Sequence, residues 1–254
     1  MVEHALLVQL VQAACVLDGV DAEPTADGVL VGGARTVSPI PWPDIEGVLA
    51  GDDPVAPGPR LRLALLLELR RAVDARGADA AADVARAVRV LALPVGHPLH
   101  PGAGWVRHRV PGGLLEVGLG VHGLLRGQDG VLPLPPAIGH AVDAGDLWTR
   151  AWSLGERLAH RAVARLDGSP RDHLGGVGGC DALTLLALPA LRERVAGAGP
   201  VAAPCRDGVW LGAAAADRDY VRAVWMLTGA GRRGLPRPVV VDGSGVRSPA
   251  ARHR

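Results

Sequence analysis

The segment GGLLEVGLGVHGLL, residues 112–125, constrains the fold more than any other part of this chain. Leu115, Val117, Leu119 and Val121 alternate with Leu114, Glu116, Gly118 and Gly120, and a period of two belongs to a β-strand. Glycines inside a strand mark places where another group comes close. The segment lies between stretches of helical period. RLRLALLLELRRAVDAR (60–76) is Leu-rich, carries an Arg70–Asp74 pair at i,i+4, and meets Gly77 just past its end, so it predicts a helix. Asp146–Leu166 sets Leu147, Leu154, Leu158 and Ala162 on one face and stops at Asp167-Gly168, which predicts a second long helix. These periods mix without a clean βαβ alternation. The expected class is α+β, with helices and short, mainly antiparallel strands.

Shorter signals fill in the rest. Residues 3–17 read as an amphipathic helix, and DGVLVGGARTV (27–37) as a strand or hairpin. A short helix fits Asp44–Leu49, with Pro43 in its first turn. PVAPGP (54–59) is a loop, which sets the expected domains: an N-terminal helix and hairpin lobe at 1–56, a main α+β domain at 57–248, and a disordered tail at 249–254. Ala-rich 79–91 predicts a helix. DALTLLAL (181–188) reads as a buried strand or as the start of a helix running to Val195; Thr184 and the nearby Pro189 favour the strand, followed by a helix from Ala190. VAAPC and GVWLG (201–212) read as paired strands, Asp217–Thr228 as a helix, and RPVVVDGSGVRS (237–248) as a hairpin whose DGSG supplies positive φ.

Composition excludes several chemistries. The chain has no Lys, Asn or Phe, and Ile, Met and Tyr are scarce, a pattern that follows from GC-rich codon usage. Without Lys there is no Schiff-base or pyridoxal lysine, no Ser-x-x-Lys dyad and no GxxxxGK[ST] loop. Net charge is +1, so no global field attracts nucleic acid or an acidic membrane, and aromatics near the Arg-rich segment are too few to stack bases. Cys15, Cys180 and Cys205 form neither a disulfide framework nor a zinc pattern and suit a reducing cytosol. The N-terminus fails as a secretory signal because Glu3, Gln9 and Gln12 interrupt it, and no run of 18 apolar residues exists.

Four motifs bear on function, the first in two ways. DHLGGVGGCD (172–181) lacks the third glycine of a dinucleotide loop, since that position is Asp181, and it follows a helix rather than a strand. The same stretch offers Cys180 as a nucleophile, with His173 as its base and Asp172 or Asp181 as orienter. The opposing reading makes Cys180 a small core hydrophobe, and Asp181 beside it would raise the thiol pKa. In HPLHPGAGWVRH (97–108), His97 and His100 have spacing that two ligands of one metal could share, with Glu116, His122 or Asp172 as a third; the plain alternative is a Pro-punctuated loop. AWSLG (151–155) mimics a nucleophile elbow but places Ser153 inside a helix. In GRRGLPRP (231–238), Arg232, Arg233 and Arg237 could grip a phosphate or carboxylate, or be a solvated surface.

HPLHPGAGW, GGLLEVGLG, VLPLPP, GCDALTLL and RPVVV together resemble phrases in uncharacterised proteins of high-GC actinobacteria, over roughly residues 60–241. The resemblance implies a genome type and no activity. The reading that follows is a soluble cytoplasmic protein, a non-catalytic binding or regulatory module that needs no cofactor and no membrane. Its partner is a protein or a small molecule, and self-association is one form such a role takes. The opposing reading is a hydrolase or metal-dependent enzyme with a site built from loops 97–108 and 172–181. An apolar patch around Trp210 or Trp225 would favour an oligomer.

Overall fold

The computed structural model describes residues 3–32, 38–49, 57–128, 130–141, 146–168 and 172–249. In chain order the elements are α1 (His4–Asp18), β1 (Ala22–Pro24), β2 (Gly28–Val31), β3 (Ile40–Pro41), α2 (Trp42–Leu49), α3 (Pro57–Asp74), α4 (Ala80–Ala87), β4 (Val88–Pro94), β5 (His108–Arg109), β6 (Leu115–His122) and β7 (Val131–Pro133). There follow α5 (Pro136–Ala141), α6 (Leu147–Asp167), β8 (His173–Gly175), α7 (Ala182–Ala187), α8 (Pro189–Val195), β9 (Pro200–Cys205), β10 (Gly208–Leu211), α9 (Gly212–Ala216), α10 (Arg218–Leu227), β11 (Val239–Asp242) and β12 (Gly245–Arg247). The fold is α+β. Three antiparallel sheets carry the strands, in the orders β1-β2-β3, β4-β6-β5 with β7 also on β6, and β12-β11-β9-β10-β8.

The expected strand at 112–125 is β6, and its glycines have the expected use. A Cβ on Gly118 would overlap the Trp105 indole, so that ring seats directly on the strand, and its Nε1 donates to Leu119 O at 2.6 Å. β4 pairs with β6 along its whole length, from Val88↔Val121 to Pro94↔Leu115. Val90 and Ala92 face α6 and α7, while Leu91 and Leu93 face Trp105 and Val131. Both faces of β4 are therefore covered, which hides its strand alternation and explains why 79–91 reads as one helix when it is α4 followed by a strand.

The free edge of β4 is closed by residues 180–184. Thr184 Oγ1 accepts from Ala92 N at 2.9 Å, and Cys180 Sγ lies 3.9 Å from Val90 O. Bare strand edges invite foreign pairing, and a covering helix removes that hazard. The helix is α7, so DALTLLAL is not a strand. All six of its residues are buried, leaving no amphipathic signal, and Pro189 then starts α8.

The five-stranded sheet has helices on both sides. Val201 and Ala203 of β9 face the main core with α7 and α8, while Ala202 faces Ala215 and Val221 of α9 and α10. The expected pairing of β9 with β10 and of β11 with β12 is present. The DGSG turn closes without positive φ at Gly243; Asp242 Oδ1 accepts instead from Ser244 N, Ser244 Oγ and Gly245 N. Leu7, Leu10 and Ile45 of the N-terminal segment share one contiguous core with Leu63, Leu66, Val90 and Leu188. Among the described residues no helix is long and apolar enough to cross a membrane. The second half of the segment expected at 27–37, from residue 33, and the expected tail from residue 250 lie outside the described residues.

Candidate functional site

DHLGGVGGCD is a hairpin followed by a helix start. Val177 and Cys180 exchange both backbone hydrogen bonds at 3.0 Å around Gly178 and Gly179, whose φ angles are +59° and +76°. Two consecutive positive-φ positions define a type I′ turn, which glycine fills without strain. The turn drives Cys180 into the core against β4 and aims Asp181 inward. Burial pushes the Cys180 thiol up to about 12, and the neighbouring Asp181 charge adds to the rise. His173 points elsewhere: it is exposed, paired across the sheet with Trp210, and its ring lies 4.8 Å from that indole. The expected pair of Cys180 and His173 thus sits on two sides of one turn, with no hydrogen bond between them.

Asp181 belongs to a different constellation, centred on Arg206. Both are 4% exposed. Arg206 Nε donates to Asp181 Oδ2 at 2.8 Å, Nη2 donates to the same oxygen and to Val131 O, and Nη1 donates to Gly231 O at 3.0 Å. The guanidinium ties three chain segments together, and its fork geometry suits a site where several acceptors converge. Burial raises the Asp181 carboxyl pKa, and Arg206 opposes that rise. Sequence reasoning missed Arg206, since a lone Arg in CRDG carries no signal and its partner lies 25 residues away.

His97 abuts this hub. It is 4% exposed, and its Nδ1 accepts from Leu99 N at 3.1 Å. His100 repeats the device: its Nδ1 accepts from Gly102 N at 3.2 Å. Each His-Pro-x step therefore folds on itself, with the imidazole serving as acceptor two residues on. Burial first, then the Arg206 charge, lowers the His97 pKa to about 3. His100 Nε2 lies 2.9 Å from Glu116 Oε2, off the hydrogen-bonding line, and Arg109 Nε sits 3.1 Å from Glu116 Oε1. Burial lowers the His100 pKa against the pull of Glu116. Among the described residues no group of three His, Cys, Asp or Glu could hold a metal ion. Loops 97–108 and 172–181 do approach each other, through Arg206 and inside the protein. None of His97, His100, His173, Cys180 and Asp181 lines either of the two clefts described below, so the catalytic expectation gains no supporting geometry.

The larger cleft is a groove of about 1510 Å³ between α10 and β11, extended by residues 197–200 and 236–238. α10 starts from Asp217, whose Oδ1 accepts from Asp219 N and Tyr220 N. It buries only Val221 fully, because its apolar stripe is narrow and the sheet beneath is short. Met226 is 60% exposed and Leu227 88% exposed, and Val240 is exposed on the neighbouring strand. Trp225 is fixed from both sides: Nε1 donates to Gly234 O at 3.1 Å, and the Arg233 guanidinium stacks 4.4 Å from its ring.

The Arg trio expected at 231–238 divides here. Arg232 pairs with Asp207, with Nε 3.0 Å from Oδ2, and Arg233 holds Trp225 and donates to Thr228 O at 3.1 Å. Arg237 alone of the three lines the groove, joined by Arg218 and Arg222 from α10. All three are exposed, with no side-chain partner among the described residues, and Asp219 is the one acid on the lining. Arg218 and Arg222 were not singled out in the sequence, because an i,i+4 pair of arginines on a helix carries no signal of its own. No family model matches this chain, and neither a curated protein nor a solved structure matches it.

Proposed function

We propose that this chain is a non-catalytic binding module whose working surface is the α10–β11 groove. The occupant is an apolar segment of a partner protein flanked by carboxylates. One observation carries the reading: an apolar floor with exposed Met226 beside a pinned Trp225, bordered by three unpartnered guanidiniums. The groove exceeds the 300–1,000 Å³ or so typical of small-ligand pockets, and exposed apolar patches with polar rims favour protein contacts. The three cysteines are all free thiols, which supports a cytoplasmic setting.

The test is fluorescence anisotropy with a labelled amphipathic peptide of about 15 residues carrying Leu at helical spacing and Glu on its flanks. Binding is expected to weaken about tenfold or more in Arg222→Glu and Met226→Ser, and with Arg in place of Glu on the peptide. Equal binding of a scrambled peptide, or no binding, overturns the reading. So does light scattering that finds the groove buried in a dimer that Met226→Ser dissociates.

A further inference from the structure

A second cleft, of about 290 Å³, opens where the loop after β4 meets the start of α6. Trp148 and Pro136 supply its accessible apolar wall, the buried Trp105 and Leu134 back it, and Arg107 and Asp146 supply its charges. The chain has six Trp, one Tyr and no Phe, so large aromatics are not spread here as general filler. Two of the six line this cleft, and a third, Trp152, lies 5.2 Å from Trp148, ring to ring. The wall is preorganised. Trp105 is fixed on Gly118 and by its bond to Leu119 O, while Trp148 stands in the first turn of the 21-residue α6.

The charges face the cleft uncompensated. Arg107 is exposed, and its side chain has no hydrogen bond or ion pair among the described residues. Asp146 caps α6, with Oδ1 accepting from Thr149 N at 2.9 Å. Those Thr149 hydrogen bonds hold its carboxyl below the usual range, so it is anionic at neutral pH. Arg107 and Asp146 line one cleft yet form no ion pair with each other. A guest with one charge would leave one of them unanswered. A guest with both, around an apolar body, answers the cation, the anion and the aromatic wall together.

We propose that this cleft binds a small zwitterion of amino-acid size, with its carboxylate on Arg107, its ammonium on Asp146 and its apolar body against Trp148 and Pro136. The volume sits at the low end for ligand pockets, which suits such a guest and excludes a nucleotide or a peptide. The site is separate from the α10–β11 groove and stands whether or not that groove binds a partner.

The experiment is titration calorimetry of the full chain with three probes of one shape: L-leucine, L-leucinamide and 4-methylpentanoate. L-Leucine is expected to bind with a dissociation constant of about 1 mM or tighter, and each single-charge probe about tenfold or more weaker. Arg107→Gln is expected to erase the preference over leucinamide and leave the preference over 4-methylpentanoate. Asp146→Asn, which keeps the helix cap, is expected to do the reverse. Thermal melts of both variants check that the fold is unchanged. Equal affinity for the three probes, or no heat from any of them, overturns the proposal. So does loss of both preferences in a single variant whose melt is normal.

Discussion

Acidifying the protein toward pH 5 tests the His97 environment most directly. In the folded chain Nδ1 accepts from Leu99 N, so the neutral ring carries its proton on Nε2. A second proton would have to enter at Nδ1, abolish that hydrogen bond, and place a cation in the interior beside Arg206. The folded pKa of about 3 expresses this refusal, against a value near 6.5 for an unfolded histidine. The sign follows. Above the unfolded pKa neither state is charged, and the full stability is present. As pH falls, the unfolded chain takes a proton that the folded chain rejects, so stability is lost between about 6.5 and about 3. Between about pH 7.5 and about pH 5 the loss from this one ring is about 2 kcal/mol, from the linkage relation. His100 and His108, also lowered by burial, lose stability in the same direction, so the whole-protein slope is not diagnostic. His97→Asn is diagnostic, because the amide oxygen can replace Nδ1 as acceptor for Leu99 N without titrating. Urea unfolding of both proteins at the two pH values should show the variant's pH dependence smaller by about 2 kcal/mol. An unchanged difference would refute the burial argument for His97.

Two further outcomes follow from the same interior. Asp181→Leu leaves a buried guanidinium with only the Val131 and Gly231 carbonyls, and should cost about 3–5 kcal/mol, lowering Tm by roughly 6–20 °C. Adding Arg206→Met should recover most of that in calorimetric melts, and a double variant no better than the single would contradict the pairing. Cys180, with its thiol pushed up to about 12, should resist alkylation at neutral pH until denaturant is added; peptide mapping that finds it labelled in the native protein would refute that placement.

What was legible in the sequence followed the exposure of one face. α3, α6 and α10 each keep a wet side, so their period survives, and Trp148 and Trp152 fall one turn apart as their spacing requires. Elements wrapped on all sides lose it: β4 merged with α4, and α7 read as a strand because every residue from 182 to 187 is buried. Site residues obeyed a related rule. The His, Cys and Asp of loops 97–108 and 172–181 drew notice by type, yet they serve turns and a buried ion pair. The groove-lining Arg218 and Arg222, and the cleft's Arg107 and Asp146, look ordinary in sequence. Their significance comes from standing beside exposed apolar surface, and only the fold supplies that neighbour.

The cover over the edge of β4 has a consequence for biosynthesis. The β4–β6 hairpin can pair once residue 122 has left the ribosome, but the bonds from Thr184 and Cys180 come about 60 residues later. At usual elongation rates that leaves the edge bare for roughly 3–12 s on every nascent chain. Slow codons between 123 and 184 would lengthen the interval in which two neighbouring chains on one message can join edge to edge. The yield of native protein should therefore depend on translation speed across that window, even with the amino-acid sequence unchanged.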